Sequence, residues 1–167
     1  EPGLRIGADL SDLYMTMYQD NYKDTTYMPV YDYLHAVNPI KVGTDKMQAT
    51  MKHATAGLKI TLTNKDGNKM DASIASARIL VGNIASRLDY YTAEASDFTK
   101  TVAFPLTMST DSMSMSANST VMVFPSSDNP PLTIMLTLKN GLVKRFRKPL
   151  DNALIAGNRL TLNITLG

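Results

Sequence analysis

"MKHATAGLKITLTN", residues 51–64, carries two side-chain registers in one strand-like run. Entering it, apolar or semi-apolar side chains fall on odd positions: Met47, Ala49, Met51 and His53. Leaving it, they fall on even positions: Leu58, Ile60 and Leu62. Side chains of a β-strand alternate between faces with a period of two, so the change of parity moves the apolar set to the other face. The residues at the change, Ala54, Thr55, Ala56 and Gly57, are small and include a glycine, the composition of a bulge or crossover. The expectation is a strand that serves one sheet before the switch and the opposite sheet after it, as corner strands of sandwiches do.

Downstream, further strand patterns are separated by turn residues. "LKITLT" ends at "NKDGNK", where Asp66-Gly67 signals a tight turn. "SIASARILVG" follows with Ile74, Ile79 and Val81, and then "TVAFPLTM", in which Pro105 argues for an edge or a bulge. "TVMVFP" and "PLTIMLTL" come next, the latter with Leu132, Ile134, Leu136 and Leu138 alternating. Asn140-Gly141 connects this run to "LVKRFRKPL" and is the strongest hairpin signal in the chain. The chain closes on "NRLTLNITL", with Leu160, Leu162, Ile164 and Leu166 on one face. Roughly seven or eight short strands with hardly any helical periodicity predict an all-β sandwich.

The opening differs in texture. Six of the 8 tyrosines, Tyr14, Tyr18, Tyr22, Tyr27, Tyr31 and Tyr33, stand in the first forty residues among Asp, Asn and Pro. That composition favours turns and short strands, although Tyr14, Tyr18 and Tyr22 share a helical four-residue spacing. We expect residues 1–44 to form a tyrosine-rich segment packing on a sandwich domain of residues 45–167. Amphipathic tyrosines anchor a segment to a core or stack on a ligand, so Tyr27 and Tyr31 are the candidates for a glycan- or protein-binding surface.

The 167 residues suffice for one ordinary domain, with 44% hydrophobic and 19% charged residues. A formal charge of +2 leaves no electrostatic footprint for nucleic acid. With 0 cysteines, a core rather than disulfides must hold the fold. No apolar run reaches the length of about 18 residues that reads as a membrane span.

Catalytic chemistry has little to build on. His35 and His53 lie in different segments with no carboxylate in a triad-like context, and no G-x-S-x-G motif or cysteine nucleophile occurs. His53 reads as a semi-buried histidine donating to a backbone carbonyl. Two methionine pairs, Met15 with Met17 and Met113 with Met115, resemble Cu(I) thioether pairs, but they lack His or Cys support; methionine is an ordinary core filler, and residues 107–120 read as a Ser/Met-rich loop or edge strand. "KRFRK", residues 144–148, reads as a solvated edge that resists edge-to-edge pairing, with Phe146 alternating inward and Arg145 and Arg147 sharing a face. The expectation is a protein that is not an enzyme and carries no cofactor and no metal.

"YDYLHA" at 31–36, "MKHATAGLKITL" at 51–62 and the closing "LIAGNRLTLNITL" resemble, in that order, motifs of the fimbrillin-like proteins of Bacteroidetes. His53 and Ala54 match the His-Ala pair of the family, Ala56 its second alanine, and Leu58 to Leu62 its alternating tail. Gly57 stands where the family usually has Lys or Arg, and Leu160 and Leu162 replace its usual aromatics. The resemblance implies a transthyretin-like (immunoglobulin-like Greek-key) β-sandwich on the outer membrane surface, attached through a lipid anchor outside this chain. It further implies a pilus subunit, tip or anchor in cell adhesion, joined to other pilus subunits by strand exchange, a form of β-augmentation. Leu160, Leu162, Ile164 and Leu166 would then belong to the exchanged strand; the alternative is an ordinary last strand of the core. A monomeric module that binds host proteins or glycans through Tyr27 and Tyr31 is the competing reading.

Overall fold

The computed structural model describes residues 9, 13–19, 25–38, 43, 46 and 48–167. Met47 and Tyr22 lie outside the described residues, whereas Tyr14, which shares the helical spacing with Tyr18 and Tyr22, stands in a strand. The described chain is all-β. Six strands of seven or more residues form its frame: β5 (Ala56–Asn64), β6 (Ile74–Ile84), β9 (Lys100–Met108), β12 (Pro131–Leu138), β13 (Val143–Pro149) and β14 (Arg159–Leu166). Eight segments of two or three residues accompany them: β1 (Tyr14–Thr16), β2 (Thr26–Tyr27), β3 (Leu34–His35), β4 (Lys52–His53), β7 (Arg87–Asp89), β8 (Ala95–Ser96), β10 (Ser114–Ser116) and β11 (Val121–Val123). The strand pattern of the sequence therefore resolves into fewer long strands and more short ones than the seven or eight expected. The short ones lie largely in stretches without sustained alternation.

The frame is one continuous sheet rolled over a core. Neighbouring strands run β13, β12, β6, β9, β10, β5 and β14, all antiparallel except the last pair. The buried side chains of β5, β6, β9 and β12 join in one core cluster. Leu58, Ile60 and Leu62 of β5, Ile79 and Val81 of β6, and Val102 of β9 have 0% exposure. Each such side chain contributes about 1.5–3 kcal/mol through burial, which sets the two layers face to face. Pro105 sits in β9 where β6 flanks one side and neither β2 nor β10 reaches the other, so its missing N–H costs no ladder bond. Gly67, at φ +68°, closes the turn after β5 by donating to the Asn64 carbonyl. That turn passes the chain from one layer to the other instead of pairing β5 with β6.

The parity switch behaves differently from expectation on its upstream side. Ala54, Thr55 and Ala56 are buried, and β5 begins there as read. Before the switch, however, Lys52 and His53 pair with β3 in a separate two-stranded ribbon rather than with the opposite layer. Among the described residues no layer covers that ribbon's odd face, and Met51 is 60% exposed.

The Asn140-Gly141 hairpin forms between β12 and β13, with Gly141 at φ +88° donating to the Leu138 carbonyl. Phe146 stands opposite Ile134 and Lys148 opposite Leu132, which directs the even side chains of β13 to the core side. Phe146 nevertheless stays 43% exposed, because β13 is the last strand of its layer. Met115 fills the core, whereas Met113 is 37% exposed, so that methionine pair does not present two thioethers to one site.

Candidate functional site

A sheet rolled in this way has two free edges, and here they face each other. Among the described residues β13 pairs only with β12, and β14 pairs only with β5. Between them lies an open seam. Its wider part is a cavity of about 490 Å³ lined by Leu132, Lys148, Leu150, Ile155, Leu160 and Leu162. The seam continues as a cavity of about 230 Å³ lined by Leu136, Leu138, Lys144, Phe146 and Leu166.

One wall is β14. Its exposure alternates strictly, Leu160, Leu162, Ile164 and Leu166 being half-buried against the core and the odd residues exposed. It runs parallel to β5 with Arg159 beside Gly57 and Leu166 beside Asn64. Gly57 makes the start of this pairing possible. A Cβ there would come within 2.9 Å of Arg159 Cγ and 3.1 Å of Thr120 Cγ2. The space that a larger residue would need is occupied by the arginine of the neighbouring strand. The four residues singled out for strand exchange thus form a paired edge strand of their own sheet, with one flank open to the seam.

The end of the seam between β13 and β14 is held firmly. Asn129 donates through Nδ2 to the carbonyls of Leu150 (3.2 Å) and Asp151 (2.9 Å). Leu154 donates its N–H to Ser126 Oγ at 2.8 Å, and Ser126 returns an N–H to the Leu154 carbonyl at 3.0 Å. Gly157, at φ +84°, turns the chain into β14 and donates to the Thr55 carbonyl. The cleft is therefore pre-formed, which lowers the ordering cost of anything that enters it.

The tyrosine candidates lie elsewhere. Tyr27 belongs to β2, pairs with β9, packs half-buried against the core and has Lys100 Nζ 5.2 Å above its ring. Tyr31 is 82% exposed. One anchors the segment while the other points to solvent, so they do not present two equivalent faces to a ligand.

His53 is not the semi-buried histidine expected. Its side chain is 49% exposed, and its Nδ1 lies 3.0 Å from Asp32 Oδ1. Thr55 donates its hydroxyl to the same oxygen at 3.0 Å. The His53 hydrogen bond, aided by that of Thr55 and by the charge of Arg159, holds the Asp32 carboxyl below its ordinary value. Because the hydroxyl donates to the carboxylate rather than to the imidazole, no nucleophile is aligned with a base. The sequence separates Asp32 from His53 by 21 residues, and no periodic signal links them. Only the pairing of β3 with β4 brings them together, and it also places His35 beside Lys52.

The family described as fimbrillin-A associated anchor proteins Mfa1 and Mfa2 matches the chain over residues 3–167. No curated protein matches it. Among solved structures, a candidate cell adhesion protein from Bacteroides uniformis is similar at a TM-score of 0.52 and 18% identity, over 95% of this chain and 62% of that one. A candidate adhesin from Bacteroides ovatus is similar at a TM-score of 0.65 and 6% identity, over 95% of this chain and 68% of that one. The chain thus spans about two thirds of the length of either structure, and at these identities the likeness is one of fold.

Proposed function

The chain belongs to the fimbrillin-A associated anchor family, and from that premise we propose that it is a non-enzymatic component of a surface fimbria, acting in cell adhesion as a subunit, tip or anchor. The observation that carries this reading is the seam: two unpaired strand edges with an apolar, pre-formed cleft between them. Exposed strand edges are normally blunted or covered, and an edge beside an apolar cleft offers backbone hydrogen bonds together with pockets for alternate side chains. A strand of another fimbrial subunit entering the seam by β-augmentation would close the roll. Leu160, Leu162, Ile164 and Leu166 then act as one wall of the acceptor, and the protein is displayed at the outer membrane surface through a lipid anchor. The same reading takes the rolled sheet as a transthyretin-like sandwich over residues 45–167, on which residues 1–44 pack. The roles of Tyr27 and Tyr31 in binding host proteins or glycans stand as the competing proposal, favoured only by the exposure of Tyr31.

The test places a charge inside the seam without touching the fully buried core. Cells that lack the chain are given back the whole protein as wild type, as Leu162→Glu or as Phe146→Glu. Both positions are partly exposed, so near-native circular dichroism is expected of the purified variants. Fibres counted by electron microscopy should fall sharply with either substitution. Wild-type fibre numbers in a correctly folded variant would refute assembly through the seam.

A further inference from the structure

The charges along the two edges say which kind of strand the seam accepts. β13 holds Lys144, Arg145, Arg147 and Lys148 within seven residues, all exposed. Among the described residues none of these four cations stands in a salt bridge. By register, Lys144 stands opposite Leu136, Phe146 opposite Ile134 and Lys148 opposite Leu132, so the seam side of β13 reads cation, aromatic, cation. The outer side reads Arg145 and Arg147. Two carboxylates are near: Asp71 within electrostatic reach of Lys144, and Asp151 in the lining of the wider cavity. They leave the edge strongly positive, with Arg159 adding a further cation on the β14 side.

The chain's own edges do not complement this pattern. β14, "RLTLNITL", has no carboxylate and begins with Arg159, and β13 against a second β13 would set cation against cation. Like charges directly opposite across a strand pair are destabilising. We infer that the seam takes an extended segment of a different protein, one that sets acidic residues on either side of an apolar residue toward β13, and that a second copy of this chain is a poor occupant. The cations that deter self-pairing are the same ones that recognise the acidic strand, so attraction and exclusion are one device. This inference rests on the reading of the seam as an acceptor and assigns the chemistry of what it accepts.

Fluorescence anisotropy on the full chain, with two short labelled peptides, tests it. In both, leucine alternates with a charged residue on one face and threonine fills the other face; the charged residue is glutamate in the first peptide and lysine in the second. The glutamate peptide should bind about tenfold more tightly, as expected when two exposed pairs change from repulsive to attractive, and the preference should shrink as salt is raised. The double variant Lys144→Glu/Lys148→Glu, changed only at exposed positions, should reverse the preference. Equal binding of the two peptides would overturn the charge assignment while leaving the acceptor reading intact. Binding of neither would overturn both. A preference for glutamate that survives the double reversal would overturn the assignment to β13.

Discussion

His53 Nδ1 and Asp32 Oδ1 stand 3.0 Å apart, tying β4 to the segment that enters β3 just where the strand parity changes. The contact is exposed, yet it closes the ribbon onto the roll, because Ala54 beside it donates its N–H to the Tyr33 carbonyl at 2.8 Å.

The ribbon should therefore loosen in acid. The Asp32 carboxyl is held below its ordinary value of 3.8, chiefly by the His53 hydrogen bond. A group with a depressed folded value stabilises fully above its unfolded value and loses that contribution as pH falls through the folded one. Protection of the Ala54 amide against hydrogen exchange should hold at about pH 5 and weaken below about pH 3.8, ahead of core amides of β5. In Asp32→Asn the acid-dependent part should vanish. Equal protection at both ends of that range in the wild type would disprove the latch.

Core and seam leucines should differ in what their loss does. Leu62 is 0% exposed, so Leu62→Ala should cost about 2–5 kcal/mol in thermal or denaturant unfolding. Leu162 is half-buried on the open seam, and Leu162→Ala should cost about 1 kcal/mol, roughly half of a full transfer term with little cavity left behind. Equal losses would mean that the seam is closed in solution.

Gly157 turns the chain into β14 at φ +84°, a region that side chains disfavour. Gly157→Ala should destabilise the fold by about 1–2 kcal/mol, although a Cβ would meet only His53 Cβ, at 4.0 Å. The loss should appear first as faster exchange in β14. A neutral substitution would show that the turn relaxes to another conformation.

Whether β14 stays in place can be decided with a staple. Lys59 and Thr161 are register partners on exposed positions of β5 and β14, and the chain has 0 cysteines of its own. Lys59→Cys/Thr161→Cys should form a disulfide that locks β14 without hindering assembly, if β14 is a wall of the acceptor. Assembly that stops when oxidised and returns on reduction would instead make β14 the strand that is exchanged.

The alternation of Leu58, Ile60 and Leu62, of Leu132 to Leu138 and of Leu160 to Leu166 was enough to read an all-β chain and the buried face of its main strands, because a period of two is a property of each strand alone. Asn140-Gly141 located its hairpin for the same local reason. Parity likewise marked where the chain changes partners at Ala54 to Gly57. It did not reveal that Met51 and His53 stay exposed, since a face is buried only if another element lies over it. The same applies to Phe146, which points inward and stays open. Which strands are edges, that β13 and β14 face each other across a seam, and that Asp32 reaches His53 are decided by how the sheet rolls. Those relations join residues far apart in the chain through backbone pairing, which leaves no periodic trace in the residues themselves.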